Sequence, residues 1–131
     1  MRYAALAALI LIAAFAHPAV SAPVPPPYTD DQARRGETLF YEQCAECHGD
    51  LLQGHFGPGL ANGTDNVQWS TVGYIWGYMT AHMPAGNAGG LKVSEYLDIL
   101  AFLLKMHGHA PSKTPLTAQA AVASKATFGP P

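Results

Sequence analysis

The sequence predicts a small, all-α, loop-rich domain, and three observations support this fold class. Apolar residues recur at helical spacing over residues 30–41 and 95–107, and residues 72–82 form a further helix candidate. The 13 glycines and 11 prolines among 131 residues predict many turns and loops. No segment alternates convincingly between apolar and polar residues, so no strand is predicted.

Length and charge exclude several classes of protein. A chain of 131 residues allows one domain, and its two cysteines are too few for a disulfide-stapled scaffold. Seven basic against nine acidic residues give a net charge of −2, which is the wrong sign for a nucleic-acid binder. No run of 18 apolar residues exists, so we expect no transmembrane segment once a signal peptide is removed.

The N-terminal segment is typical of an export signal. Arg2 precedes an apolar stretch from Ala4 to Ala16 that is too short to span a bilayer. Small residues then end at Ala22, so we predict a signal peptide over residues 1–22, cleaved after Ala22. An uncleaved anchor is the alternative. Export of the chain would place it in the periplasm of a bacterium with two membranes.

The remaining chain divides into three parts. Residues 23–28 are rich in proline and predict a stiff, extended spacer. Residues 29–109 contain the helical patterns and form the predicted domain. Residues 110–131 consist largely of Ala, Ser, Thr, Lys and Pro with little periodicity, which predicts a flexible C-terminal tail.

Each predicted helix has recognisable ends. Thr29 or Asp30 caps the first helix, which contains an unusual glycine, Gly36, typical of close packing. Proline at 84 ends the second helix. We expect Ser94 to cap the third helix at its N-terminus and Gly108 to end it.

The chemistry of the chain centres on Cys44-Ala45-Glu46-Cys47-His48, the C-x-x-C-H motif of covalent haem attachment. Two thiols three residues apart can bond to the two vinyl groups of a porphyrin, and the next residue then offers an imidazole to the iron. Three other interpretations stay open. They are a thioredoxin-like redox pair, a structural disulfide, and a zinc site that uses Cys44, Cys47, His48 and His55.

From residue 30 to residue 107 the sequence resembles the class I c-type cytochromes. The resemblance rests on the helix that leads into the haem motif, on Met83-Pro84, and on the last helix with Ile99-Leu100-Ala101-Phe102-Leu103. It implies a cytochrome c-like fold of three to four main helices wrapped around one covalent haem c. It also implies that Gly36 and Phe40 pack against Ile99 and Phe102.

The motif and the resemblance together predict the haem ligands. Cys44 and Cys47 would attach the haem, and His48 would bind the iron. Met83 is the predicted sixth ligand because it follows a helix end and precedes a proline, which is its usual setting in the family. His82 is the main rival. Met106 is a further candidate, whereas ordinary structural explanations exist for Met79, His55, His107 and His109.

Two further expectations concern the surroundings of the haem. By resemblance, the carbonyl of a Gly-Pro loop orients the proximal histidine, and Pro58 matches that position. Four aromatic residues either wall the haem pocket or fill the core: Trp69, Tyr74, Trp76 and Tyr78.

A haem with both axial positions filled is suited to carrying single electrons rather than to binding a substrate. We therefore expect a soluble periplasmic one-electron carrier and not an enzyme. A haem c subunit of a periplasmic dehydrogenase or oxidase complex is the alternative, and a gas-binding or peroxidase-like enzyme would need an open sixth position.

The expected partners are redox proteins: a donor dehydrogenase and an acceptor oxidase or cytochrome. Carboxylates near the motif either steer a basic partner or are simply solvated: Glu37, Glu42, Glu46 and Asp50.

Overall fold

The computed structural model describes residues 21–61 and 67–129 and confirms the all-α prediction. The helices in these ranges are α1 (Asp30–Gln43), α2 (Ala45–His48), α3 (Val72–His82), α4 (Val93–Met106) and α5 (Ala118–Ala123). One short 3-10 turn covers Val67–Trp69. Within these ranges the only β pairing is an isolated bridge between Thr71 and Thr127. Residues 1–20 of the predicted signal peptide lie outside the described residues.

Helices α1 and α4 cross at a point where their backbones nearly touch. A Cβ atom built on Gly36 would lie 1.8 Å from the carbonyl oxygen of Asp98, so only glycine allows this approach. One turn further along α1, the rings of Phe40 and Phe102 pack with their centroids 5.5 Å apart. This crossing confirms the packing that the resemblance implied, although Gly36 meets the backbone of Asp98 and Ile99 rather than their side chains.

The ends of α4 differ in part from the prediction. Lys92, not Ser94, is the N-cap, and its N–H donates to the carboxylate of Glu95 over 2.7 Å. Ser94 therefore lies inside the first turn, because a glutamate three residues after Lys92 already closes the helix end. At the other end Gly108 has φ +85, and the N–H groups of Gly108 and His109 donate back into the helix as in a Schellman motif.

The prediction of a flexible tail over residues 110–131 is wrong for its described part. Leu116, Ala121 and Phe128 are buried, and α5 packs against α3. Residues 126–129 pair by backbone hydrogen bonds with residues 68–72, for example from the N–H of Val72 to the carbonyl of Ala126 over 2.8 Å. The tail is held because Leu116, Ala121 and Phe128, although widely spaced in sequence, are buried in the core, whereas Val122 stays exposed.

The proline-rich segment, predicted as a stiff, extended spacer, makes contacts with the domain. Pro26 and Tyr28 are buried, and the Tyr28 hydroxyl donates to the carbonyl of His109. Pro23 and Pro25 line a small cavity of about 100 Å³ together with residues of the C-terminal segment. The segment is therefore attached to the domain at Pro26 and Tyr28, while Val24 is exposed. None of the helices in the described ranges is both long and apolar enough to cross a bilayer.

Candidate haem site

Helix α2 is a single turn that presents the three residues of the motif. Helix α1 ends where Cys44 adopts φ −128, and the carbonyl of Cys44 then accepts the N–H groups of Cys47 and His48 over 3.1 and 2.9 Å. Both thiols are free: that of Cys44 is half-buried and that of Cys47 is exposed. The break between α1 and α2 therefore separates the motif from the long helix while keeping it rigidly attached.

His48 is buried, and its ring is held in one tautomer. Nδ1 lies 2.8 Å from the carbonyl oxygen of Pro58. Because a carbonyl oxygen only accepts hydrogen bonds, Nδ1 must carry the proton of the neutral ring. The lone pair of the neutral imidazole is then on Nε2, which has no hydrogen-bond partner among the residues that the structure describes. A buried imidazole nitrogen without a partner is what a metal ligand requires.

The loop that carries Pro58 is tied directly to the motif. The N–H of Gly57 donates to the carbonyl of Cys47 over 2.7 Å, and the N–H of Gly54 donates to the carbonyl of His48 over 2.8 Å. A Cβ on Gly57 would lie 3.0 Å from Cε1 of His48, so the glycine lets the loop pass close beside the ring. The glycines of this loop therefore serve the orientation of His48.

The state of the thiols argues against the other interpretations of the motif. Burial, together with the neighbouring Cys47, raises the pKa of the Cys44 thiol to about 11. Redox-active C-x-x-C pairs instead have a lowered thiol pKa, because the thiolate is the nucleophile. The cysteines are not joined in a disulfide, and the described ranges contain no group of three or more His, Cys, Asp or Glu arranged to hold a metal ion, which leaves the zinc interpretation without support.

Met83 lies directly after α3 and is held by its backbone. Its N–H donates to the carbonyl of Met79 over 3.0 Å, while its own carbonyl accepts from the Tyr96 hydroxyl over 2.5 Å and from the N–H of Gly89 over 3.2 Å. Its side chain is half-buried against the core. Met79 is a core residue, and His82 is exposed and contacts the ring of Tyr78.

The remaining histidines have structural contacts that the sequence did not reveal. Nε2 of His107 lies 2.8 Å from the carbonyl of Leu60, and Nε2 of His109 lies 2.8 Å from the carbonyl of Phe128. The prediction assigned both only to the end of the last helix. His55 is exposed and contacts the ring of Phe56. The sequence carries no local signal for these contacts, because the two carbonyls lie 47 and 19 residues away along the chain.

The aromatic residues and carboxylates near the motif divide into clear groups. Trp76 is buried in the core, whereas Trp69, Tyr74 and Tyr78 are exposed, the two tyrosines stacking along one face of α3.

The carboxylates form no ion pair with another described residue: Glu37, Glu42, Glu46 and Asp50. Glu46 and Asp50 also line an open depression of about 290 Å³ beside the motif. Glu46 and Asp50 thus place two carboxylates without an ion-pair partner among the described residues beside the motif.

The residues fit the haem that the motif predicts. Two free thiols three residues apart match the two attachment points of the group, and the unpaired Nε2 of buried His48 matches an axial ligand. Met83 offers a thioether sulfur as a further ligand, and hydrogen bonds fix its backbone at both the N–H and the carbonyl.

Comparison with known proteins gives a family and a relative in sequence. A family model described as "Cytochrome C oxidase, cbb3-type, subunit III" matches residues 31–103. Cytochrome c-L from Methylorubrum extorquens is 51% identical over 90 residues, which cover 61% of this chain and 44% of that protein. The matched region includes the C-x-x-C-H motif, Pro58 and Met83.

Two solved structures are similar to this chain. The sulfane dehydrogenase SoxCD from Paracoccus pantotrophus matches with a TM-score of 0.61 and 28% identity, over 77% of this chain and 58% of that one. Cytochrome cL from Hyphomicrobium denitrificans matches with a TM-score of 0.47 and 20% identity, over 76% of this chain and 64% of that one. The chain thus spans less than two thirds of each of these relatives.

Proposed function

Because this chain belongs to the cytochrome c family described by the model for subunit III of cbb3-type cytochrome c oxidase, we propose that it carries single electrons on one haem c. The observation that carries the proposal is the free lone pair on Nε2 of His48, one residue after a pair of free thiols. When bound, haem c supplies an iron that changes between the ferrous and ferric states with little rearrangement of its ligands.

Cys44 and Cys47 would hold the haem through two thioether bonds, and His48 would bind its iron. The hydrogen bond from Nδ1 of His48 to the carbonyl of Pro58 keeps the ring in the ligating tautomer and fixes its plane. The short helix α2 and the loop that ends at Pro58 move together because three residues of that loop are bonded to it. These hydrogen bonds would keep His48 in a fixed orientation toward a bound haem.

Haem attachment is tested by the mass and colour of the protein. The chain is produced in a host with a haem-attachment machinery, beside Cys47→Ser and the surface control Thr38→Ala. We expect coloured protein with the mass of the processed chain plus one haem for the parent and the control. Cys47→Ser should lose one of the two thioether bonds. A colourless parent protein with the mass of the bare chain would refute the proposal.

Met83 is the proposed distal ligand. Methionine is a soft ligand that favours ferrous iron and raises the reduction potential, as does a largely apolar surrounding. The half-buried side chain and the fixed backbone of Met83 support this role. A strongly negative midpoint potential would contradict it.

The distal ligand is tested with Met83→Ala, against Met106→Ala as a control on a partly exposed methionine. We expect Met83→Ala to lose the red sulfur-to-iron charge-transfer band of the ferric protein and to bind carbon monoxide rapidly when reduced. The control should keep the band and bind little carbon monoxide. If Met83→Ala retains the parent spectrum, another residue, with His82 first in line, is the ligand. Rapid and full binding by the parent protein would instead favour an enzyme with an open site.

The alternative is that the chain is the haem c subunit of a dehydrogenase or oxidase complex. Two findings favour it: the family model describes an oxidase subunit, and the SoxCD structure is that of a dehydrogenase. The haem chemistry would be the same, but the protein would stay assembled with a catalytic partner. Purification from native cells distinguishes the two, because a free carrier elutes at the mass of one chain whereas a subunit elutes with its partner.

The proposed place of this reaction is the periplasm, which the signal peptide predicted over residues 1–22 supports. Intact mass of the exported protein tests it, with cleavage after Ala22 expected. The proposed partners are a donor dehydrogenase and an acceptor oxidase or cytochrome.

The unpaired carboxylates beside the motif support a partner with a basic docking surface. We expect reduction by hexaammineruthenium, a cationic complex, to slow as salt is added. The variant with Glu46→Gln and Asp50→Asn should lose part of this salt dependence, whereas Glu95→Gln, far from the motif in sequence, should retain it. A salt dependence that is identical in all three proteins would show that the carboxylates are only a solvated surface.

A further inference from the structure

We propose that Tyr96 is a positioning residue for Met83, which it holds through the Met83 backbone carbonyl. This inference rests on the proposed function, in which Met83 binds the haem iron. The Tyr96 hydroxyl lies 2.5 Å from that carbonyl oxygen and bridges 13 residues of sequence between α4 and the end of α3. Tyr96 is 3% exposed, so water cannot readily replace its hydroxyl.

Three separate parts of the chain hold the backbone of Met83. Helix α3 holds its N–H through the carbonyl of Met79, and the loop after α3 donates the N–H of Gly89 to its carbonyl. Tyr96 makes the second hydrogen bond to that carbonyl, and among the described residues no other residue of α4 bonds to it. Because a carbonyl oxygen has two lone pairs, this pair of donors satisfies it completely.

Tyr96 also connects the two sides of the site. Two residues after Tyr96, the carbonyl of Asp98 lies against Gly36 on α1, and the carboxylate of Asp98 accepts two hydrogen bonds from Arg35. Helix α1 leads directly into the turn that carries His48. Helix α4 therefore contacts both the helix that leads to His48 and the residue Met83. The Tyr96 hydroxyl makes the hydrogen bond from α4 to Met83.

The link has a chemical consequence for the distal ligand. A thioether is neutral and soft, and its bond to iron competes with other ligands. The fraction of time for which Met83 leaves the iron depends on how firmly its backbone is held. Loss of one part-buried hydrogen bond shifts such an equilibrium by about tenfold.

The test compares Tyr96→Phe with Tyr41→Phe, which removes a hydroxyl from a half-exposed ring that forms no hydrogen bond with the residues that the structure describes. In the holoprotein we expect Tyr96→Phe to raise the fraction of reduced protein that binds carbon monoxide by up to about tenfold. It should also weaken the red charge-transfer band and speed hydrogen exchange of the amides of residues 83–91. Tyr41→Phe should match the parent protein in all three measurements.

An unchanged exchange rate and an unchanged band in Tyr96→Phe would overturn the proposal. If Tyr96→Phe does not fold, the parent protein decides the matter by NMR. A slowly exchanging Tyr96 hydroxyl proton close to Met83 is expected, and a rapidly exchanging one would overturn the proposal. The Met83→Ala spectrum tests the ligand itself, so a failure of the ligand assignment is separate from a failure of Tyr96 to hold residues 83–91.

Discussion

The carbonyl oxygen of Asp98 on α4 lies where a side chain on Gly36 of α1 would have to be. The distance from that oxygen to a Cβ built on Gly36 would be 1.8 Å. The Asp98 carboxylate reaches over the same crossing to Arg35, with N···O distances of 2.7 and 2.8 Å. A close backbone approach and a bidentate ion pair thus fix how the two longest helices meet.

We expect Gly36→Ala to destabilise the protein by at least about 1–3 kcal/mol, because the added methyl group must push α1 away from α4. The free energy of unfolding, measured by denaturant titration of the holoprotein, tests this. Thr38→Ala, on the exposed side of the same helix, is the control and should change stability by less than about 0.5 kcal/mol. A Gly36→Ala protein as stable as the control would contradict the crossing described above.

The crossing could be predicted from the sequence because a glycine inside a regular apolar pattern has few explanations other than close packing. The motif likewise fixed the relative positions of Cys44, Cys47 and His48 along the chain. In contrast, the packing of the C-terminal segment against the domain could not be predicted. Leu116 and Phe128 are too far apart in sequence to show a helical or strand periodicity. Both are buried in a core built by residues from distant parts of the chain.

A buried glutamine is the main anchor of that segment. The side-chain amide of Gln32 donates to the carbonyl of Leu116 over 3.1 Å and accepts the N–H of Leu116 over 2.7 Å. We expect Gln32→Ala to cost about 1–3 kcal/mol, because both backbone groups of Leu116 then lose their partner in a buried place. Hydrogen exchange should also rise across residues 112–129.

Gln43→Ala provides the matched control for this change. Gln43 is exposed at the last position of the same helix, so its substitution should leave exchange in residues 112–129 unchanged. Equal exchange in the two variants would mean that the apolar anchors alone hold the segment.

Tyr28 makes the attachment of the C-terminal segment sensitive to alkaline pH. Burial, and to a lesser degree the charge of Asp30, raises the pKa of the Tyr28 phenol above its usual value. The folded state therefore favours the neutral phenol, whose hydroxyl donates to the carbonyl of His109. This contribution is fully present below about pH 10, the pKa of an unfolded tyrosine, and is lost as the pH rises through the higher folded pKa.

The measurement is the difference in unfolding free energy between the parent protein and Tyr28→Phe, taken near pH 8 and again above about pH 10. We expect the parent to be the more stable at the lower pH and its advantage to shrink at the higher pH. Other groups that titrate in this range cancel in the difference. An advantage that stays constant would show that Tyr28 contributes only its packing.

His107 holds the loop that orients His48. Its Nε2 lies 2.8 Å from the carbonyl of Leu60, two residues after Pro58, and its ring packs edge-on against Phe128 with the centroids 5.2 Å apart. His107→Phe should keep the aromatic packing but remove the donor, at a cost of about 1 kcal/mol. We expect amides of residues 52–61 to exchange faster, because this contact ties the loop to α4.

Met106→Ala, on the preceding and partly exposed residue, should leave that exchange at the parent rate. Parent-like protection of the loop in His107→Phe would instead mean that the backbone hydrogen bonds to Cys47 and His48 hold it without His107.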